Sequence, residues 1–424
     1  MRHPAFYLLS ALILTGAANS SLARDLPQAK PEVAGMSTVR LARVGAWLKT
    51  EVAAGKIPGA VVLVARDGKV VYQETVGKLD PQKDAPMTTD AIFRIYSMTK
   101  PITTVAAMLL VEEGRLTLDA PVSRYIPEFA KMQVGTEKTD AAGVKSLELT
   151  PARRQITVQD LMRHTSGLTY GFFGNSLVKK AYVDAGINAS GDTTNEEFAK
   201  KIAAMPLHYQ PGSTWDYSNS TDVLGRVIEV VAQKSLFAFM KERILDPLGM
   251  KDTTFYVPEP ARQARIAEPL QNDRNFGEGA NLNDPRVVKT AESGGGGMVS
   301  TAADYARFLQ MLLNGGVLDG KRILGPKTLE YMTADHLGNA IVPGPLYLPG
   351  PGYGFGLGFA VRKSIGEPAS NAAAGEYNWG GAGGTAFWVD PKNRMFVVFM
   401  MQSPKQRTLY RPILRNMIYA AIEK

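Results

Sequence analysis

The stretch SMTKPITTVAAMLLVEEG, residues 97–114, decides the fold. It sets Ser97 and Lys100 three residues apart, just ahead of an apolar run that reads as a helix and stops at Gly114. Residues three apart share a helix face, so the Lys100 amine is expected beside the Ser97 hydroxyl. A serine alone is a weak nucleophile, and a neighbouring base activates it. Pro101 lies inside the run and would break a helix interior. The first four N–H groups of a helix, however, have no partner within it. A helix that begins near Ser97 therefore accepts Pro101. The pair is thereby fixed at a helix N-terminus, where backbone dipoles carry positive charge.

Working outward, the chain has 424 residues, 45% of them hydrophobic and 21% charged, enough for one large or two interlocked domains. At the N-terminus Arg2 precedes an apolar stretch over 5–18 and the small-residue site Ser21-Leu22-Ala23. That is the pattern of a cleavable export signal over residues 1–23, and a periplasmic or secreted protein is expected. No later segment is apolar for long enough to span a membrane. There is no cysteine, which excludes disulfides and a thiol nucleophile. The net charge of +8 is scattered without blocks of like sign, so no nucleic-acid partner is expected. Beyond His3, only His164, His208 and His336 remain, and none forms a paired zinc pattern. No metal and no cofactor is expected. No serine lies in G-x-S-x-G, so a Ser-His-Asp triad has little support.

Apolar spacing predicts a first helix over 38–54. Two β-branched runs, 59–65 and 69–72, flank Asp67-Gly68 and read as a hairpin. Helices are predicted over 157–164, 221–234 and 301–314. Two of these open on the capping boxes Thr157-x-x-Asp160 and Thr301-x-x-Asp304. The segment 338–354, rich in Pro and Gly, reads as an ordered loop or lid. Strands are predicted over 353–362, 384–389 and 395–401, and a closing helix over 409–422. Strand signals thus gather at both chain ends and helices in the middle. The expected fold is α/β (α+β): an antiparallel sheet flanked by helices, built from both chain ends, with an inserted mainly helical domain. The sheet domain would take 24–85 plus 300–424, and the helical region 86–299.

Ser-x-x-Lys is a cheap pattern, and Ser176-Leu177-Val178-Lys179 repeats it. That copy lies in a Gly/Asn-rich stretch with no strong helix expected after it, which favours Ser97. Tyr217-Ser218-Asn219 is the only Tyr-x-Asn in the chain. A tyrosine near Lys100 can act as a base, because a cation lowers the phenol pKa. Asn219 would then donate to a substrate carbonyl or hold Lys100. The same three residues also suit a plain turn. Trp379-Gly380-Gly381-Ala382 precedes a strand, and its glycines permit close backbone approach. An edge strand there would aim the Ala382 N–H at a developing oxyanion, opposite the Ser97 N–H. Tyr170, Phe172 and Phe173 follow the Thr-Ser-Gly turn after His164, and suit either an acyl pocket or the core.

Ser97-x-x-Lys100, Tyr217-x-Asn219 and a Gly-rich strand near the C-terminus together resemble the serine β-lactamase and penicillin-binding-protein superfamily. The Tyr-x-Asn box resembles class C β-lactamases and D-Ala-D-Ala peptidases. Phe93-Arg94-Ile95-Tyr96, the segment Asp160 to Leu168, Pro211-Gly212, Asp246-Pro247-Leu248-Gly249-Met250 and Ser293-Gly294-Gly295-Gly296-Gly297-Met298 fit the same pattern. The third box departs from it. Where β-lactamases and peptidases of this group carry Lys-Thr-Gly, this chain has Trp379-Gly380-Gly381, similar to family VIII carboxylesterases. The resemblance implies a class C β-lactamase-like fold and two-step acyl transfer. Ser97 would be the nucleophile, Lys100 and Tyr217 the base, and the backbone of Ser97 and Ala382 the oxyanion site. Without the carboxylate-binding lysine, the implied substrate is a neutral short- to medium-chain ester. A β-lactamase or D-Ala-D-Ala carboxypeptidase, and an inactive peptide-binding relative, are the alternatives. Oligomeric state is left open.

Overall fold

The computed structural model describes residues 25–424 apart from 188, 190, 278 and 279, and the expected export signal lies outside them. Near the N-terminus the chain forms α1 (Thr38–Ala53), β1 (Gly59–Arg66), β2 (Lys69–Asp80) and β3 (Ala85–Pro86). Next come α2 (Thr99–Glu112), α3 (Ser220–Ala232) and α4 (Ala302–Leu313). It then returns through β4 (Tyr353–Phe355), β5 (Ala360–Arg362), β6 (Tyr377–Gly380), β7 (Ala386–Asp390) and β8 (Met395–Met401) to α5 (Arg407–Tyr419).

The eight strands make one antiparallel sheet in the order β4-β5-β6-β7-β8-β1-β2-β3. The β1–β2 turn is fixed by Asp67 and Gly68, both left-handed at φ 54° and 74°, the geometry a two-residue hairpin requires. The first and last thirds of the chain join where β1 pairs with β8, with Val62 opposite Phe399. Alternate side chains serve opposite faces. Val62, Val64, Trp388 and Phe399 pack with α1 and α5 on one face. Val61, Leu63, Phe387 and Val398 join the larger core that extends into the helical region on the other. Every residue from Thr99 to Leu110 is buried, so α2 runs through the middle of that core, as an all-round apolar helix should.

Several expectations change. The run 353–362 is two short strands, and β6 was not anticipated. The central region also carries the hairpin Gln133–Thr139 and Lys145–Pro151. Ser176 does open a helix, Leu177–Asp184, contrary to expectation: its hydroxyl caps the Lys179 N–H. Thr157 and Asp160 form a reciprocal capping box. Thr301 caps in one direction only, because the Asp304 carboxylate turns to the Asp252 N–H at 2.8 Å and the Thr253 hydroxyl at 2.9 Å.

Asp160 ties together the segment that leads to Tyr170. Its buried carboxylate takes Arg154 at 2.5 Å, Arg163 at 3.2 Å and the Thr165 hydroxyl at 2.8 Å. Burial raises its pKa, but Arg154 and the Thr157 N–H outweigh that and hold it below the usual carboxylate value. Asp160→Ala leaves two arginines without their shared anion and should cost roughly 3–5 kcal/mol, read by urea denaturation. A lowered folded pKa means the Asp160 contribution is complete above the unfolded value of about 3.9 and fades as pH falls through the folded one. The gap between wild type and Asp160→Ala should therefore be flat from neutral pH down to about 5 and close below about 4.

Candidate active site

Ser97 lies in a 3₁₀ turn, Tyr96–Met98, that feeds directly into α2, so Pro101 falls at the third α-helical position, where no N–H is needed. Tyr96, just before the nucleophile candidate, has φ 43°, an uncommon conformation for a bulky residue. It is held there by its hydroxyl, which donates to Asn283 Oδ1 at 2.6 Å and accepts from the Asn283 N–H at 2.8 Å. Local strain of this sort is concentrated at functional sites.

One helical turn on, the buried Lys100 ammonium lies 3.3 Å from Ser97 Oγ. It also donates to the Gly295 carbonyl at 2.6 Å and to the Tyr170 hydroxyl at 3.2 Å. The Tyr217 ring centroid lies 4.6 Å from the same nitrogen, so the cation faces a π-surface as well. The Tyr217 hydroxyl accepts from Trp379 Nε1 at 3.3 Å. In sequence Tyr170 suits either an acyl pocket or the core, and in the structure it lines a cavity beside Ser97. The structure adds that its hydroxyl accepts a hydrogen bond from Lys100. Burial, then the charges of Asp222 and Tyr217, push the Tyr170 pKa well up, so it is a neutral phenol at working pH.

Asn219 donates to the Thr169 carbonyl at 2.9 Å, beside Tyr170, rather than to Lys100. His164 packs behind Tyr217 with ring centroids 4.8 Å apart and pairs with the Ser218 hydroxyl at 3.3 Å. Burial and then the Lys100 charge push its pKa well below 6.5, leaving it neutral.

The Trp379 segment reaches the site by a different route than expected. β6 is an inner strand, flanked by β5 and β7, not an edge. Its end approaches the Ser97 turn because the residues there are glycines. A Cβ on Gly381 would lie 2.4 Å from the Ile95 carbonyl oxygen, and one on Gly380 2.4 Å from the Arg411 guanidinium carbon. Arg411, from α5, bonds the carbonyls of Gly381 at 2.9 Å and Thr385 at 3.1 Å and so clamps the turn that carries Ala382. The Ala382 N–H has no acceptor among the described residues.

A cavity of about 620 Å³ gathers Ser97, Tyr170, Phe172, Tyr217 and Asn219 with Trp379, Gly380, Gly381 and Ala382. Phe173 and Phe276 extend its aromatic wall, and Leu348 and Pro349 bring the 338–354 loop to it. Every site residue expected from sequence is therefore in one place. Sequence reasoning missed Gly295 and Asp222. Gly295 lies in a glycine run already noted, but nothing marked its carbonyl as the Lys100 acceptor. Asp222, one turn beyond Asn219 on α3, accepts from the Ser293 hydroxyl at 2.5 Å and the Gly295 N–H at 2.9 Å. The second Ser-x-x-Lys copy is elsewhere engaged: the Lys179 ammonium bonds Thr169 Oγ1 at 3.0 Å. Among the described residues no cluster could hold a metal ion, and no helix is long and apolar enough to cross a membrane.

The profile of the family described as Beta-lactamase matches residues 44–418. The chain is similar to Rv1367c of Mycobacterium tuberculosis, 35% identical over 82% of this chain and 86% of that protein. Esterase EstB of Burkholderia gladioli is 32% identical over 79% of this chain and 83% of the esterase. Among solved structures, EstCE1, described as a hydrolase with promiscuous acyltransferase activity, superposes with a TM-score of 0.74 at 29% identity, covering 90% of this chain and 99% of EstCE1. With its antiparallel sheet and Ser-x-x-Lys helix start, the chain belongs to the β-lactamase family, within the serine β-lactamase and penicillin-binding-protein superfamily, and has esterases among its relatives.

Proposed function

We propose that the protein is a serine carboxylesterase that hydrolyses small-molecule esters through an acyl-enzyme on Ser97. The observation that carries this reading is the 3.3 Å approach of Lys100 Nζ to Ser97 Oγ at an aromatic cavity of about 620 Å³. A cavity of that volume suits a drug-sized ligand. Trp379 supports a neutral ester, since it gives an apolar wall where related β-lactamases keep a carboxylate-binding lysine.

In the first step Ser97 Oγ bonds to the ester carbonyl carbon, and its proton passes to the Lys100–Tyr217 pair in the form that holds one proton fewer than ammonium plus phenol. The N–H groups of Ser97 and Ala382 hold the oxyanion, each such donor contributing about 10²–10³-fold. Collapse breaks the acyl–oxygen bond, and the leaving alkoxide takes its proton through Tyr217. Water then attacks the acyl-enzyme by the same route and releases the acid. Positioned proton transfer supplies about 10²–10⁴-fold. The neutral Tyr170 hydroxyl accepts from Lys100 throughout. An alcohol in place of water gives transesterification, a second outcome that the description of EstCE1 favours.

Purified enzyme should hydrolyse p-nitrophenyl butyrate with a kcat/KM far above that for a chromogenic cephalosporin. Ser97→Ala should abolish the ester activity and Ser176→Ala should leave it unchanged. Full esterase activity in Ser97→Ala would sink the mechanism, and a cephalosporin preference would move the protein to the β-lactamases. Export is part of the same proposal. Expressed with its N-terminus intact in a bacterial host, the protein should appear in the periplasm or medium with Arg24 as its first residue, read by N-terminal sequencing.

A further inference from the structure

Asp222 is a buried carboxylate that takes no part in the steps above. Burial pushes its pKa up, and the Lys100 charge with its own hydrogen bonds holds it partly back. No ion pair joins Asp222 to Lys100 among the described residues. One residue stands between them: Gly295 gives its N–H to Asp222 at 2.9 Å and its carbonyl to Lys100 at 2.6 Å.

The segment around Gly295 is gripped from both sides. From α3, Asp222 Oδ1 holds the Ser293 hydroxyl at 2.5 Å as well as the Gly295 N–H. From α2, the Thr103 hydroxyl donates to the Gly294 carbonyl at 2.7 Å. A Cβ on Gly295 would lie 2.4 Å from Asp222 Oδ2, so only glycine lets the carboxylate come this close. A buried carboxylate is costly, and its charge-assisted bonds are the strong ones. Here they hold the Ser293 hydroxyl and the Gly295 N–H, and so the segment whose carbonyl orients Lys100. The titratable groups that face this carboxylate are Lys100 from α2 and Tyr170 from the segment after His164.

We propose that Asp222 is the positioning residue of the site: through the Gly295 backbone it fixes the carbonyl that aims Lys100 at Ser97. The inference rests on the esterase reading and adds a fifth side chain to Ser97, Lys100, Tyr170 and Tyr217. Asp222 borders the cavity together with Ser293 and Gly295, but its two hydrogen bonds go to those two residues and not to Ser97 or Lys100, so its loss should act mainly on turnover.

The test compares Asp222→Ala, Asp222→Asn and Gly295→Ala with wild type on p-nitrophenyl butyrate, using enzyme concentration from complete fluorophosphonate titration of Ser97. Asp304→Asn, another buried carboxylate away from the cavity, reports the general cost of losing one. Misplacement of a catalytic group by about 1 Å costs on the order of 10²-fold, and that is the kcat loss expected for Asp222→Ala and Gly295→Ala, with KM nearly constant. Asp222→Asn keeps an amide oxygen with two lone pairs that can accept both hydrogen bonds made to Oδ1, now without the charge, and should recover roughly tenfold of that loss. The proposal is overturned if Asp222→Ala keeps kcat within about twofold of wild type, or raises KM with kcat unchanged. It is also overturned if titrated Asp304→Asn loses as much kcat. Failure of the esterase reading would be seen separately, as activity surviving in Ser97→Ala.

Discussion

The constraint on which the site depends is a buried ammonium. Lys100 lies in the all-buried helix α2, where an unpaired cation is costly. Among the described residues no carboxylate lies within ion-pair distance of it. Its three donors instead go to a carbonyl, a phenol and the Ser97 hydroxyl, and a tyrosine ring covers another side. A full ion pair would have satisfied the nitrogen and occupied it. Weaker acceptors satisfy it while leaving Ser97 as one of its neighbours. The cation, the tyrosines and the Gly295 carbonyl are therefore one arrangement, and moving any of them changes the rest.

That arrangement explains why elements so far apart in sequence must meet. The Gly295 carbonyl is supplied by a loop held between α2 and α3. The opposite wall comes from β6 and its turn, which can touch the Ile95 carbonyl only because Gly381 has no side chain. β6 in turn is placed by a sheet whose centre is the β8–β1 pairing of the two chain ends. The sheet's register sets how far the Ala382 turn stands from the Ser97 turn, and Arg411 locks the turn from α5.

The parts of this legible in sequence were those with local causes. Helical spacing gave α1 and α2, the Asp67-Gly68 pair gave the hairpin, and the proline tolerance argument located Ser97 at a helix start. Tyr217, Trp379 and Ala382 could be named because their motifs are short and rare in the chain. β6 escaped because its four residues, Tyr377–Gly380, carry too little alternation to stand out from a loop. Asp222 escaped because it reads as one acidic residue in the first turn of an amphipathic helix, where such residues are common. Its meaning depends on Ser293 and Gly295, more than seventy positions away.

The two Ser-x-x-Lys copies make the same point from opposite sides. Both serines stand at helix starts and both lysines are buried. At Ser176 the hydroxyl caps the Lys179 N–H, and the ammonium points away to Thr169. At Ser97 the ammonium turns back to the hydroxyl, because Gly295 and Tyr170 hold it there. Spacing alone makes the contact possible; acceptors brought by distant segments decide whether it forms. The chemistry of Ser97 is thus a property of the tertiary fold, and the four-residue motif is its necessary but insufficient part.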